Sequence, residues 1–409
     1  MLRKIFPFAV SIAVILSLAG AVILYGRGYR YNPQNNSINT TGILSVSSYP
    51  EKASIYINGK LKSATNASLT LSPDWYQVKI TKEGYQSWEK NIRIQGEVVS
   101  QIDALLIPNN PSFKAITSTG IENPVLSSTG TKIAYFITGA ETNPAPLKSK
   151  NGLWILELRT TTLGNRSEPK QVFIADQNYN YGQAKIYWSP DEKEIVIAIY
   201  NEEDKEGLPV QAWLVNTDNS ADEIPIDVTG RTAVIFTKWE QESLENKELQ
   251  LTALPLAMAD LLKNNAADIR FSPDEKKILY EATSSAEIKL MINPPLIGAN
   301  PTEEERLLED GKYYIYDIKE DKNFFITNVP KVPSGALPPV WYTDSKHLLI
   351  IENDSINIVD YDGTNKRSIY TGPFEKNIVF PWSTGSKIVI LTNFNKQAPL
   401  VDFYEIDLR

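Results

Sequence analysis

The chain holds one histidine, His347, and no cysteine. That alone settles much of the available chemistry. Without cysteine there are no disulfides, thiolate metal sites, iron–sulfur clusters or thiol nucleophiles. A single histidine also excludes a two-histidine metal site or a histidine relay. His347 opens the segment "HLLII", at a position where sister segments carry Lys132, Glu194 and Lys277. A position filled elsewhere by lysine or glutamate reads as a solvated strand start, so it is assigned no catalytic role. No nucleophile elbow, zinc-protease helix or phosphate-binding loop occurs. "DYDGTN", residues 360–365, begins like a calcium loop but lacks the third acidic ligand and the distal glutamate. Asp362-Gly363, between two strand patterns, reads as a hairpin turn. The glutamates at 303–305 read as a solvated face. No catalytic, metal-ligating or cofactor-binding residue is expected.

The side chains left with binding chemistry are aromatic. Trp75, Tyr76, Tyr85 and Trp88 cluster in sequence and are a candidate platform for a sugar or a peptide. The competing reading is that they pack in the core and across strands.

The elements that position these residues begin with an apolar segment. Residues 5–25, "IFPFAVSIAVILSLAGAVILY", carry no charge. At 1.5 Å per residue they span about 31 Å, the hydrocarbon thickness of a bilayer. Arg3 and Lys4 precede the segment, and Arg27 and Arg30 follow it, with Tyr25, Tyr29 and Tyr31 where an interfacial belt would lie. The reading is a transmembrane helix with residues 1–4 in the cytoplasm and the body outside. The rival is a cleaved signal peptide, since Ala19 and Ala21 form an A-x-A arrangement; "VILY" runs on past that site and favours an anchor. Residues 26–41 are polar and turn-rich and read as a linker.

Charge is unevenly spread. Residues 1–41 carry +4, residues 42–107 carry +1, and the rest carries −13 of the net −8. An acidic body disfavours nucleic acid as a partner.

From 42 to 107 strand patterns follow one another with no helical period. In "ASIYIN", Ile55 and Ile57 share a face opposite Ser54 and Tyr56. "NGK" at 58–60 marks a hairpin and Gly84 in "KEG" a second turn. A small β-sandwich of about 65 residues is expected. Pro50-Glu51-Lys52-Ala53, "SIYINGK" (54–60) and "YQVKITKEGYQSW" (76–88) together resemble the PEGA domain, named for a Pro-Glu-Gly-Ala stretch. Lys52 departs from that pattern at the glycine. The resemblance implies an extracytoplasmic accessory module of envelope proteins, used for binding or spacing.

Beyond 108 the sequence repeats itself. "LSSTGTKIAYF" (126–136), "WSPDEKEIVIA" (188–198), "FSPDEKKILYE" (271–281) and "WYTDSKHLLII" (341–351) share one plan, with a shortened copy at 382–392 and a degenerate one from Trp239. The plan is a tight turn entering an apolar strand; Asp191 and Asp274 cap the turn backbone and Pro190 and Pro273 preset φ. Second and third strand patterns follow each copy, as in four-stranded blades. Copies start about 51 residues apart on average, a blade-like spacing. These repeats resemble those of TolB-type and WD-like β-propellers. Six blades are favoured over 108–409, with five or seven left open because the copy from Trp239 is poor. "FKAIT" (113–117) resembles an outer strand that precedes its first blade, and would complete the last one. "LPLAMADLLKNN" (254–265) reads as helix and "PTEEERLLED" (301–310) as acidic loop or helix.

The fold class is therefore mainly β: a transmembrane helix, a PEGA-like sandwich and a propeller. The expected function is a membrane-anchored, extracytoplasmic binding or scaffold protein of the cell envelope, without turnover, whose partner is a cell-wall glycan, a peptide or another envelope protein. The alternative is a propeller-based hydrolase or lyase with a carboxylate or metal site.

Overall fold

The computed structural model describes residues 2–26, 28–32, 37–139, 150–158, 168–201, 207–329, 338–352, 354–375, 378–382, 387–394 and 401–408, with backbone alone at 2–9, 30–32 and 37–39. The chain divides into two units. The first holds residues 1–110 with 290–304 and 319–322; the second holds the remainder.

Unit 1 opens with helix α1, Leu2–Gly26. Its apolar side chains from Val10 onward stand exposed, Leu16 at 65% and Val22 at 70%. Among the described residues no helix is long and apolar enough to cross a membrane. The segment expected to be a linker contains paired strands, Tyr29–Asn32 against Ser37–Thr40. This ribbon is pinned at its base: the Thr41 N–H donates to the Gly28 carbonyl at 2.8 Å and the Thr41 hydroxyl does so at 2.6 Å.

Two sheets follow. One has three strands in the order Ala67–Leu71, Gly42–Tyr49, Val99–Leu105; the other has four, Lys60–Ala64, Ser54–Ile57, Asp74–Thr81, Trp88–Ile94. Alternation decides the core. Ile55, Ile57, Val78, Ile80, Ile92 and Ile94 point inward and are nearly inaccessible, each burial contributing about 1.5–3 kcal/mol. Asn58 and Gly59 both have positive φ, at 50° and 75°, as a two-residue hairpin turn requires. Lys52, at the glycine of the Pro-Glu-Gly-Ala pattern, also has positive φ, at 61°. That is a conformation glycine adopts most readily, held here by a lysine.

Unit 2 contains five four-stranded antiparallel sheets among the described residues. Blade 1 comprises Glu122–Leu126, Lys132–Ile137, Gly152–Glu157 and Lys170–Ile174; blade 2 comprises Lys185–Trp188, Glu194–Ile199, Gln211–Asn216 and Ile226–Asp227. Blade 3 comprises Ala266–Phe271, Lys277–Ala282, Lys312–Asp317 and Lys322–Asn328; blade 4 comprises Val340–Trp341, His347–Glu352, Ser355–Asp360 and Arg367–Thr371. Blade 5 uses Val379–Pro381, Lys387–Thr392 and Asp402–Asp407, and its outer strand is Ser112–Ala115. The expected closure by "FKAIT" is thus present, with Phe113 opposite Ile406.

The six-blade expectation needs correction. The copy expected from Trp239 lies inside helix α2, Thr232–Thr252, followed by helix α3, Leu256–Asn265. Trp239 packs on Val196, Ala198 and Ala212 of blade 2, while α3 lies against the first strand of blade 3. A helical pair therefore fills the interval between two blades. The other neighbours pack directly. Blade 5 shares a core with blade 1, blade 1 with blade 2, and blade 3 with blade 4. Phe113 of blade 5 meets Tyr370 of blade 4 edge-on at 5.2 Å. The circuit closes as in a β-propeller. The acidic segment at 301–310 is not helical; only Leu307–Leu308 within it is strand.

Candidate functional site

The four aromatic residues of the sandwich do not share a face. Trp88 is 5% exposed and sits in the core, and Tyr76 and Tyr85 pack against that core. Trp75, on the opposite face of the strand from Tyr76, is 52% exposed. Strand alternation makes the separation unavoidable, because adjacent residues point to opposite sides. What remains on the outer surface is Trp75, with Arg93 directly across from it.

The repeat turns of the propeller are built alike. Ser189 and Ser272 each donate to an aspartate two residues on, at 2.7 Å. Each of these serine hydroxyls also accepts the N–H that begins the next strand, at 2.9 and 3.0 Å. Glu192 and Ser345 occupy one repeat position, with φ of 58° and 61°. Their side chains reach the turn of the preceding blade: the Thr129 N–H donates to Glu192 at 2.6 Å and the Asp274 N–H to the Ser345 hydroxyl at 3.0 Å. Trp188 and Trp341 repeat the theme, donating to the Val125 and Arg270 carbonyls at 3.2 and 3.1 Å. The motif couples neighbours and presents no reactive group.

His347 is not the solvated residue expected from its sister positions. It is 4% exposed, with Nδ1 2.6 Å from Asp344 and Nε2 3.3 Å from Asp360. Burial alone would lower its pKa; the two carboxylates outweigh burial and raise it from 6.5 to about 10. Asp344 is in turn lowered: burial pushes it up, but His347 more than offsets that. An imidazolium held between two acids is a structural cation, not a proton shuttle at neutral pH. Sequence showed His347 and Asp344 three residues before it; it could not show the second acid, Asp360, which the register sets opposite on the next strand.

The calcium-like segment is a turn. Gly363, at φ 78°, donates to the Asp360 carbonyl at 2.9 Å, and the Thr364 hydroxyl donates to Asp362 at 2.6 Å. Among the described residues no group of three or more His, Cys, Asp or Glu is placed to hold a metal.

A concave site that sequence reasoning missed lies between blades 1 and 2. Lys132, Glu157, Glu168, Lys170, Thr217 and Asp218 line a cleft of about 190 Å³ with Ile155 at its wall. The Lys170 ammonium donates to the Asp218 carbonyl at 2.7 Å, and Lys132 to the Glu192 carbonyl at 3.2 Å. These bonds use part of each ammonium's three donors. Ammonium and carboxylate groups around a small opening suit a hydroxyl-rich or zwitterionic group. The volume is below the ~300–1,000 Å³ of a typical small-molecule pocket, enough for one polar moiety of a larger ligand. No sequence signal marks it, because its residues come from two blades.

Comparison with known proteins identifies one domain. Residues 41–109 match the PEGA domain, which covers the sandwich. Among curated proteins, no sequence matches the chain. A TolB from Agrobacterium tumefaciens is 14% identical, covering 69% of this chain and 76% of its own, with a TM-score of 0.22. An oligogalacturonate lyase from Vibrio parahaemolyticus is 9% identical, covering 91% and 90%, at a TM-score of 0.22. The β-propeller domain of Swd1 from Myceliophteria thermophila is 9% identical, covering 73% and 100%, at 0.27.

Proposed function

We propose that the chain is a membrane-anchored, extracytoplasmic binding or scaffold protein of the cell envelope, with its N-terminus in the cytoplasm. The observation that carries this reading is a PEGA domain, residues 41–109, that follows an apolar helix ending at Gly26. The uncharged run of residues 5–25 supports an anchor, as do the α1 side chains exposed from Val10 onward. Such a surface is stable in lipid and costly in water. The cleft between blades 1 and 2 supplies a polar contact for a glycan, a peptide or an envelope protein. Binding without turnover accords with the one histidine being locked between two acids. The test is retention of the full chain, in detergent, on isolated cell-wall polymer and on immobilised envelope extract. Retention lost on Lys170→Ala identifies the cleft as the contact. Passage through both matrices without retention refutes the binding reading.

A further inference from the structure

One end of the sandwich carries apolar side chains that neither sheet covers. Ile43 is 39% exposed, Trp75 52%, Val99 59% and Ile297 74%. All four lie at one end, Ile43 and Val99 on the outer face of the three-stranded sheet and Trp75 on the outer face of the four-stranded one. Ile43 and Val99 are partners near the start of two parallel strands, where Gly42 faces Leu71. Trp75 is the second residue of its strand, and a Cβ on Gly96 would stand 3.6 Å from the nearby Pro73. Ile297 precedes Gly298, whose N–H donates to Gln95 at 2.6 Å and whose Cα backs on Val98. Residues 290–304 belong to this same unit.

This is also the end that receives the chain from α1. Helix α1 ends at Gly26, and the Gly28 N–H still donates to the Tyr25 carbonyl at 3.1 Å. Gly28 is held by Thr41, and the Glu97 N–H donates to the Thr41 carbonyl at 3.0 Å. The Tyr29 hydroxyl donates to the Glu97 carboxylate at 2.6 Å. The sandwich is therefore tied within a few residues of the helix end rather than swinging on a free tether.

The chemistry at that end suits a lipid headgroup layer. Indole rings settle at the membrane–water boundary, and arginine extends its guanidinium to phosphate while its stem stays apolar. Arg93, across from Trp75, supplies positive charge there, and Asp74 and Glu97 negative. The two acids are engaged within the unit, Asp74 with the Trp75 N–H at 2.8 Å and Glu97 with Tyr29.

We infer that this end of the sandwich rests in the headgroup layer of the bilayer that α1 enters, with Ile43, Trp75, Val99 and Ile297 against phospholipid. The inference builds on the anchor reading above and extends it. It makes the PEGA unit a second membrane contact that fixes the sandwich at the lipid surface.

The absence of cysteine makes the test clean. Val99→Cys, Ile297→Cys and Glu83→Cys each carry one nitroxide on the full chain, reconstituted in phosphatidylcholine–phosphatidylglycerol vesicles. Glu83 sits in the turn beyond the far end of strand Asp74–Thr81, roughly 25 Å from Trp75 at 3.4 Å per residue. Collision with a water-soluble nickel chelate is read by electron paramagnetic resonance. The expected result is at least three-fold less collision at 99 and 297 than at 83. Equal collision at all three sites, in a chain that floats with vesicles after an alkaline wash, overturns the contact and leaves the anchor standing. A chain that does not float refutes the anchor, and the contact with it.

Discussion

Replacing His347 by lysine separates the pH dependence of blade 4 from its stability. The imidazole titrates near 10 in the folded chain against 6.5 in the unfolded one. A raised folded pKa contributes stability that is fully present below about pH 6.5 and is lost as pH rises through 10. At 1.36 kcal/mol per unit the whole effect is about 5 kcal/mol. Nearly all of the interval from pH 7 to 9 lies inside that window, so the wild type should lose about 2–3 kcal/mol across it. A lysine there keeps its charge through pH 9. The sister position of blade 5 accommodates one, with Lys387 3.0 Å from Glu405. His347→Lys should therefore match the wild type within about 1 kcal/mol at pH 7 and exceed it by about 2 kcal/mol at pH 9. His347→Gln, neutral throughout, should be weaker at pH 7 by about 3–5 kcal/mol, because the buried Asp360 and the solvent-touching Asp344 lose their shared cation. Asp344 sets the opposite edge: its pKa is lowered, so its contribution is present above the normal aspartate value and fades as pH falls below it. The assay is urea unfolding followed by tryptophan fluorescence at pH 7, 8 and 9. Taking differences between variant and wild type cancels groups common to both. Parallel loss in wild type and His347→Lys from pH 7 to 9 would refute the charged, buried imidazole.

Three further outcomes follow from named contacts. Trp88→Ala should destabilise unit 1 by about 3–5 kcal/mol through a core cavity, whereas Trp75→Ala, on the outer face, should cost less than about 0.5 kcal/mol in detergent; calorimetry distinguishes them. Lys52→Gly should raise stability by about 0.5 kcal/mol, since a side chain at positive φ costs about 1–2 kcal/mol and glycine's extra unfolded-state freedom returns only part of that; a fall in the urea midpoint would show the turn to be held differently. Glu192→Ala should cost about 1–3 kcal/mol by stripping the Thr129 N–H of its acceptor, and Glu192→Gln should recover part of it, both read by thermal unfolding.

Much of this architecture is readable from local pattern, and what is hidden is long-range. Asn58-Gly59 announced its hairpin because few residue pairs accept two positive φ values in succession. The repeats at 188, 271 and 341 were legible because each blade needs the same turn and the same buried strand. The strand at 112–115 was legible by likeness to the outer strands and by its position ahead of the first copy. Helix α2 was not. It buries only Thr232, Trp239 and Leu251 over 21 residues, so it lacks the apolar stripe that betrays a helix, and Trp239 imitated the aromatic that opens a repeat. The aromatic platform failed on alternation: Trp75 and Tyr76 are neighbours in sequence and so cannot share a face. His347 and the polar cleft stayed hidden because each depends on which residues a register or a neighbouring blade brings opposite, and no run of local sequence carries that information.

The strand Ser112–Ala115 also has a consequence in time. It is made early, yet its partner at 402–407 lies about 290 residues downstream. At the usual 5–20 residues per second, translation leaves that edge without its mate for roughly 15–60 s. During that interval an open strand edge is a template for the wrong chain. The polypeptide must therefore be shielded while it emerges or held unfolded until the last blade arrives, and a product stopped short of residue 402 would carry its adhesive edge permanently.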